Sequence, residues 1–563
     1  MWNTSLRGGT TKQSSLTKIG QVGLLRFARN DVFGIIILSF IFILCSCVKQ
    51  ENPNEGLSIF KYNESAGILT LDPIYAKDLP HIWACNQLFS SLVALDEEMN
   101  VVPRIAQSWE ISDDGTVYTF HLRNDVRFHE DVSIPEGRIV NAEDVCYSFN
   151  RVVDKSLNSP GSWIFSTVAH DDGHYAFQAI DDSTFQVKLS KPFPPFLGIL
   201  SMTYASIVPK EAVEYYGDAF RSHPIGTGPF RFQYWNEGVK LVFRKNPTYF
   251  ETDSIGERLP YLDAVSISFL IDRQVAFLEF IKGKFDFMSG IDARYKDELL
   301  TYDGELRQKY EDKIELITGP FLNTEYISFY IDPNDTLGVD RSRALRQAVN
   351  LCIDREKMLR YLRNGIGIPA TGGMIPAGLP GHRDSIGYDY DLKKAQRLVK
   401  ENRLEGYTLN LSTTAEYADI GKFVQSQAEQ IGLKCKMEVM PPATVRSMRS
   451  NGSLSFFRAS WVADYPDAEN YLSLFTTSNF SPDGPNYSHY SNVKYDRLYD
   501  KAMACSDDEL RASYYAEMDS LMMLDAPVVP LFYDEVLRFV NLRVKGLGSN
   551  PTNLLDLRTV KME

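Results

Sequence analysis

From Leu57 to about residue 540 the chain alternates short runs of period 2 with longer runs of period 3.6, and this restricts the fold more than any other feature. Val117-Tyr118-Thr119-Phe120-His121-Leu122 and Thr184-Phe185-Gln186-Val187-Lys188-Leu189 read as half-buried strands, the first preceded by an Asp113-Asp114-Gly115 hairpin turn. Helical periodicity runs from Ile82 to Leu88. Asn141 with Asp144 predicts a capped helix start, Gln274–Lys282 a short helix before Gly283 and the strand Phe285–Met288. Leu345, Ala348, Val349 and Cys352 fall on one face of a helix from Arg341. Ala526–Tyr533 reads as a buried or edge strand. Helix and strand in turn is the pattern of an α/β protein.

With 563 residues, 44% hydrophobic and 23% charged, the chain is long enough for two or more domains and a large core. A net charge of -14 without a basic run after residue 50 excludes a nucleic-acid binder. The one long apolar run, Phe33–Leu44, spans twelve residues, too few to cross a bilayer, and follows Lys12, Lys18, Arg26 and Arg29. With Leu44-Cys45-Ser46-Cys47, which resembles a bacterial lipobox, after it, the segment reads as a signal peptide, with a lone signal-anchor helix as the alternative. Cleavage would leave Cys47 as an acylated first residue, and acyl burial at ~0.8 kcal/mol per methylene makes two or more chains an effective anchor. Cys85, Cys146, Cys352, Cys435 and Cys505 show no zinc or redox spacing. No nucleophile elbow, HExxH, P-loop or dinucleotide fingerprint is present. Gly226-Thr227-Gly228 lacks a following Lys-Ser/Thr and reads as a tight turn between strands.

The stretch Arg458-Ala-Ser-Trp-Val-Ala-Asp464-Tyr-Pro-Asp467 carries the strongest functional suggestion. It reads as a strand, Arg458–Ala463, with a cation at its start and Asp464 just past its end. Six rises of ~3.3 Å separate the two charges by about 20 Å, and the Arg side chain recovers several Å of that span. A short extended zwitterion fits between them, its amine against Asp464 and its carboxylate against Arg458. Two solvated surface charges are the alternative. Asp464, Asp467 and Glu469 also leave open a pair of catalytic carboxylates.

Leu71-Asp72-Pro73, Gln87-Leu88-Phe89-Ser90-Ser91-Leu92-Val93, Pro103–Glu110, Tyr118–Arg123, Ala142–Val145, Gly226–Phe230 and Tyr490-Ser491-Asn492 occur in this order over nearly the whole chain. In this the chain resembles the solute-binding proteins of peptide and nickel ABC transporters, the family 5 oligopeptide- and dipeptide-binding type. The resemblance implies a two-lobed periplasmic-binding-protein (Venus-flytrap) α/β fold of the large three-domain subtype. After a signal peptide (1–46) and an anchor linker (47–56), domain one would comprise 57–84, 208–315 and 530–563, domain two 85–207 and domain three 316–529. It implies a lipid-anchored extracytoplasmic receptor in the cell envelope, a monomer without cofactor, metal or enzymatic activity. Its partners would be short peptides and the permease and ATPase subunits of an importer. Asp464 would pair with the peptide amine and Arg458 with the carboxylate of a short peptide. The backbone of Trp461, Val462 and Ala463 would take the peptide as an added strand, with Asp78 and Leu79 gripping from an opposing loop. By alternation Trp461 faces away from Arg458, so core packing and pocket lining both remain open for it. A nickel chelate, an oligosaccharide or another small solute on the same fold, or a surface hydrolase, are the rival readings.

Overall fold

In the computed structural model, which describes residues 56–563 apart from 291, 293, 294, 333 and 335, the alternation becomes one large sheet and several small ones. The apolar run, the lipobox and Cys47 lie outside the described residues, and no described helix is long and apolar enough to cross a membrane. Strand β1 (Ile59–Asn63) leads to helix α1 (Leu79–Leu88), which starts before the expected Ile82. Asp78 caps it, accepting the His81 N–H at 3.4 Å, and Pro80 sits in the first turn, where a missing N–H costs nothing. Asp78 therefore ends the loop as the cap of α1, and Leu79 is the first residue of the helix and not a loop residue.

The expected hairpin forms between β2 (Ala106–Ile111) and β3 (Val117–Leu122), with Gly115 at φ +67°. Helix α2 (Ala142–Val153) starts with a full capping box: Asp144 accepts the Asn141 N–H at 2.9 Å and Asn141 accepts the Asp144 N–H at 3.1 Å. With β4 (Phe177–Asp181) and β5 (Thr184–Lys188) the hairpin completes a four-stranded sheet of order β2-β3-β5-β4. Gly226-Thr227-Gly228 is not a turn between strands. It packs against the end of α1, where Gly228 N–H donates to the Leu88 carbonyl at 2.9 Å. A Cβ on Gly228 would stand 2.4 Å from the Leu88 carbonyl carbon, so close approach, not phosphate binding, requires the glycine.

Strands β6 (Phe230–Asn236), β7 (Lys240–Lys245), β8 (Ala264–Ser268) and β9 (Phe287–Ser289) precede the sixteen-residue β10 (Ile314–Phe329). Helix α3 (Val339–Cys352) buries Leu345, Ala348, Val349 and Cys352 on one face, as their spacing predicts. Then come β11 (Thr408–Thr413), β12 (Lys434–Val439), β13 (Phe456–Val462), helix α4 (Asp508–Asp525) and the fourteen-residue β14 (Val528–Asn541). The large sheet runs β6-β7-β8-β1-β9-β14-β10-β13-β11-β12, and the short strand Ile368–Pro369 pairs with β14 off this path.

The antiparallel pair β10 and β14 joins the two halves of this sheet. Its ladder is interrupted between Pro320, opposite Glu535, and Thr324, opposite Tyr533. A second irregularity, between Glu325 and Tyr326, accommodates Pro530, which has no N–H to give the ladder. The strand expected at 526–533 is thus the first half of a longer interior one. The domain limits drawn at 315/316 and 529/530 fall inside or at the margin of these strands. One apolar core draws on residues between Phe60 and Phe287 and again between Val540 and Val560, with Tyr465 entering it from the bend after β13. Two further cores draw on residues between Leu322 and Phe532. The five described cysteines are free, four of them buried.

Candidate functional site

Strand β13 begins in the core and ends at solvent. Phe456 and Phe457 are buried, Arg458, Ser460 and Trp461 half-buried, and Val462 is 44% exposed. On one side it pairs with β10 along its whole length, from Phe456 opposite Phe329 to Val462 opposite Asn323. On the other it pairs with β11 only at Phe456 and Phe457. Ala463 N–H donates to the Leu322 carbonyl at 2.8 Å, so by antiparallel alternation the main-chain groups of Trp461 and Ala459 also face β10. Those of Ser460 and Val462 face the other way, where no described strand takes them up. A short edge opens in an otherwise interior strand.

Asp464 lies just beyond that edge. Its carboxylate reaches solvent, but protein crowds it, and this burial pushes its pKa up to about 6, with Asn470 offsetting part of the effect. Among the described residues no cation pairs with it. Burial first, then the fields of Asp464 and Asp78, raise the Tyr204 hydroxyl to about 12. Asp464 and Asp78, far apart in sequence, both act on Tyr204 through their charge. Asp78 is engaged with His81 through both ring and backbone, so its first role is as the cap of α1. Leu79 packs partly buried against the first core.

The bend holding Asp464 is fixed from behind. Asn470 Oδ1 accepts Trp461 Nε1–H at 2.7 Å and Asp464 N–H at 3.4 Å, which makes Trp461 a prop for the bend. The buried Glu469 accepts the hydroxyls of Tyr499, at 2.5 Å, and Tyr465, and Asp467 accepts the Glu469 N–H at 2.8 Å. Burial raises the pKa of both carboxylates. They are anchors within the fold, which removes the expectation that Asp464, Asp467 and Glu469 form a catalytic set.

Arg458 is not the free cation that its place in the sequence suggested. Its Nε and Nη2 donate to Glu325 Oε2 at 3.0 and 2.5 Å, and its guanidinium lies 3.4 Å from the centre of the Tyr417 ring. Glu325 is buried. Desolvation raises its pKa and Arg458 draws it back. Beside this pair stands a second one, Arg363 on Asp534 at 2.6 Å, and the Asn323 amide reaches Glu325 and Asp534 at 3.3 Å each. Glu325 sits opposite Ser460 in the β10–β13 register and lies 133 residues from Arg458 in sequence, so no local signal could have revealed it.

Comparisons with known proteins agree with this architecture. The chain is 26% identical over 493 residues to the dipeptide-binding protein of Escherichia coli K12, covering 82% of this chain and 86% of that one. It is 26% identical over 498 residues to the glutathione-binding protein GsiB of Shigella dysenteriae, covering 86% and 90%. The Helicobacter pylori periplasmic binding protein DppA, solved in complex with the peptide STSA, superposes with a TM-score of 0.70 at 26% identity over 90% of this chain and 98% of that one. The fold is the two-lobed α/β periplasmic-binding-protein fold. Residues 100–483 match the model for bacterial extracellular solute-binding proteins, family 5. A long divided sheet, an open strand edge ending in an unpaired carboxylate, and this match over most of the chain lead to one assignment: the chain belongs to the family 5 extracellular solute-binding proteins, which are transport receptors and not enzymes.

Proposed function

We propose that this receptor binds short peptides between its lobes and hands them to the permease of an ABC importer, held at the membrane by acyl chains on Cys47. The observation that carries the peptide reading is the open edge of β13 at Ser460 and Val462 with the unpaired Asp464 at its end. A peptide main chain adds there as a strand, which tolerates varied side chains, and its ammonium group meets Asp464. The dipeptide- and glutathione-binding relatives support the same ligand class. Trp461, Val462 and Ala463 form the strand wall. Asp78 and Leu79 grip the peptide from the opposing side, a reading supported by the fields of Asp78 and Asp464 both acting on Tyr204.

Lobe closure turns on β10 and β14 where their ladder is interrupted, between Pro320 and Thr324. In this reading domain one comprises 57–84, 208–315 and 530–563, domain two 85–207 and domain three 316–529. The receptor works as a monomer in the cell envelope alongside the importer's permease and ATPase. Native mass spectrometry of the purified protein, followed by thermal-shift measurements with peptide pools, tests the proposal. Co-purifying peptides and stabilisation without turnover are expected. A sugar or a metal chelate in place of peptides would overturn it.

A further inference from the structure

The two ends of the proposed peptide site differ in charge. Among the described residues Asp464 has no cationic partner, whereas both guanidinium groups near Tyr417 have internal carboxylates: Arg458 holds Glu325 and Arg363 holds Asp534. Tyr417 feels Glu325, Arg458, Glu416 and Arg363, two charges of each sign. Glu325 is fixed further by the Asn323 amide, and the Tyr417 ring covers one face of the Arg458 guanidinium. A ligand carboxylate brought to Arg458 would lie beside the buried carboxylate of Glu325, and the repulsion would offset what Arg458 offers.

We infer that Glu325 sets specificity by neutralising Arg458, so that the cleft reads the amino end of a peptide by charge and leaves its carboxyl end unread. The inference rests on the peptide reading above. The ligands are then amine-terminated chains whose length is not measured, including peptides with a blocked or distant carboxyl end. Glu325 acts on the ligand only through Arg458, which makes it a positioning residue.

The test uses the intact protein and three tripeptide libraries, with free ends, with amidated carboxyl ends, and with acetylated amino ends, captured on the protein and quantified by mass spectrometry. Peptides from the first library that bind are resynthesised in all three forms for calorimetry. Amidation should change Kd by less than about threefold, whereas acetylation should weaken binding at least about thirtyfold, as expected for a charged group left without its partner. Glu325→Gln, which keeps the shape and removes the charge, should create a preference of tenfold or more for the free carboxyl end. Tight binding with a tenfold loss on amidation of the natural protein's ligands overturns the inference and leaves the peptide reading intact. Failure of every library to bind overturns both. The natural protein's comparison stands whether or not Glu325→Gln folds, and a folded Glu325→Gln with no new preference overturns the role given to Glu325.

Discussion

If Asp464 takes the peptide amine as proposed, peptide affinity depends on pH in a way that can be worked out beforehand. In the empty protein its pKa stands at about 6, raised by burial from an ordinary 3.8. The sign follows from the raised value. The fold favours the protonated form, so ionising Asp464 destabilises the empty protein, a cost fully present above the folded pKa and absent below the unfolded one. Undiscounted, a shift of this size corresponds to ~3 kcal/mol, but the group reaches solvent and ~1 kcal/mol is the fairer figure. A bound ammonium group reverses the balance by favouring the carboxylate, and the complex should titrate below the ordinary range. Affinity then follows the ionised fraction of the empty site, about nine-tenths at pH 7 and about one-tenth at pH 5. Binding should be roughly tenfold weaker at pH 5, or ~1.4 kcal/mol, with release on binding of about half a proton at pH 6 and nearly a whole one at pH 5. The peptide amine, with a pKa near ~8, stays charged throughout. Asp519 is also raised to about 6 by burial, but it accepts the N–H groups of Met374 and Ile375 and remains in an Asp464→Asn variant, which serves as the control. Calorimetry at pH 5, 6 and 7 in buffers of different ionisation enthalpy reads both affinity and proton release. A flat profile in the natural protein, or an undiminished slope in Asp464→Asn, would refute the reasoning.

Three further perturbations separate the strand edge, the charge pair and the fold. Ser460→Pro removes an N–H that faces away from β10, so chemical denaturation should show a loss of no more than about 1 kcal/mol while calorimetry shows peptide binding abolished; retained binding would remove strand addition from the account. Arg458→Ala leaves Glu325 buried without its cation and should cost about 3–5 kcal/mol in urea unfolding, a cost that Arg458→Ala with Glu325→Leu should largely relieve. Gly228→Ala forces a methyl against the carbonyl end of α1 and should destabilise by about 2–3 kcal/mol, whereas alanine at Gly238, with nothing near its Cβ but a φ of +68°, should cost about 1 kcal/mol.

The sequence was legible where a few neighbouring residues decide the outcome. Asp113-Asp114-Gly115 turns because glycine alone adopts φ +67° without penalty, and Asn141 with Asp144 caps a helix within a single turn of chain. Asp78-Leu79-Pro80 carried the same kind of information, a capping carboxylate with proline in the first turn, and it marked the start of α1 earlier than hydrophobic periodicity did. Local punctuation misled where the sheet overrode it. Gly319-Pro320 in β10 and Pro530 in β14 look like strand ends, yet both strands continue through them because irregularities in the shared ladder absorb the missing N–H groups. The site shows the same division. That an anion follows a strand at Asp464 can be read from seven consecutive residues; that the cation at the other end is already taken cannot, because Glu325 reaches Arg458 only through the register of β10 against β13. A cleft built across two lobes takes its selectivity from such pairs. On the proposed reading, whether the receptor measures peptide length depends less on the residue that resembles a carboxylate binder than on its partner across the sheet.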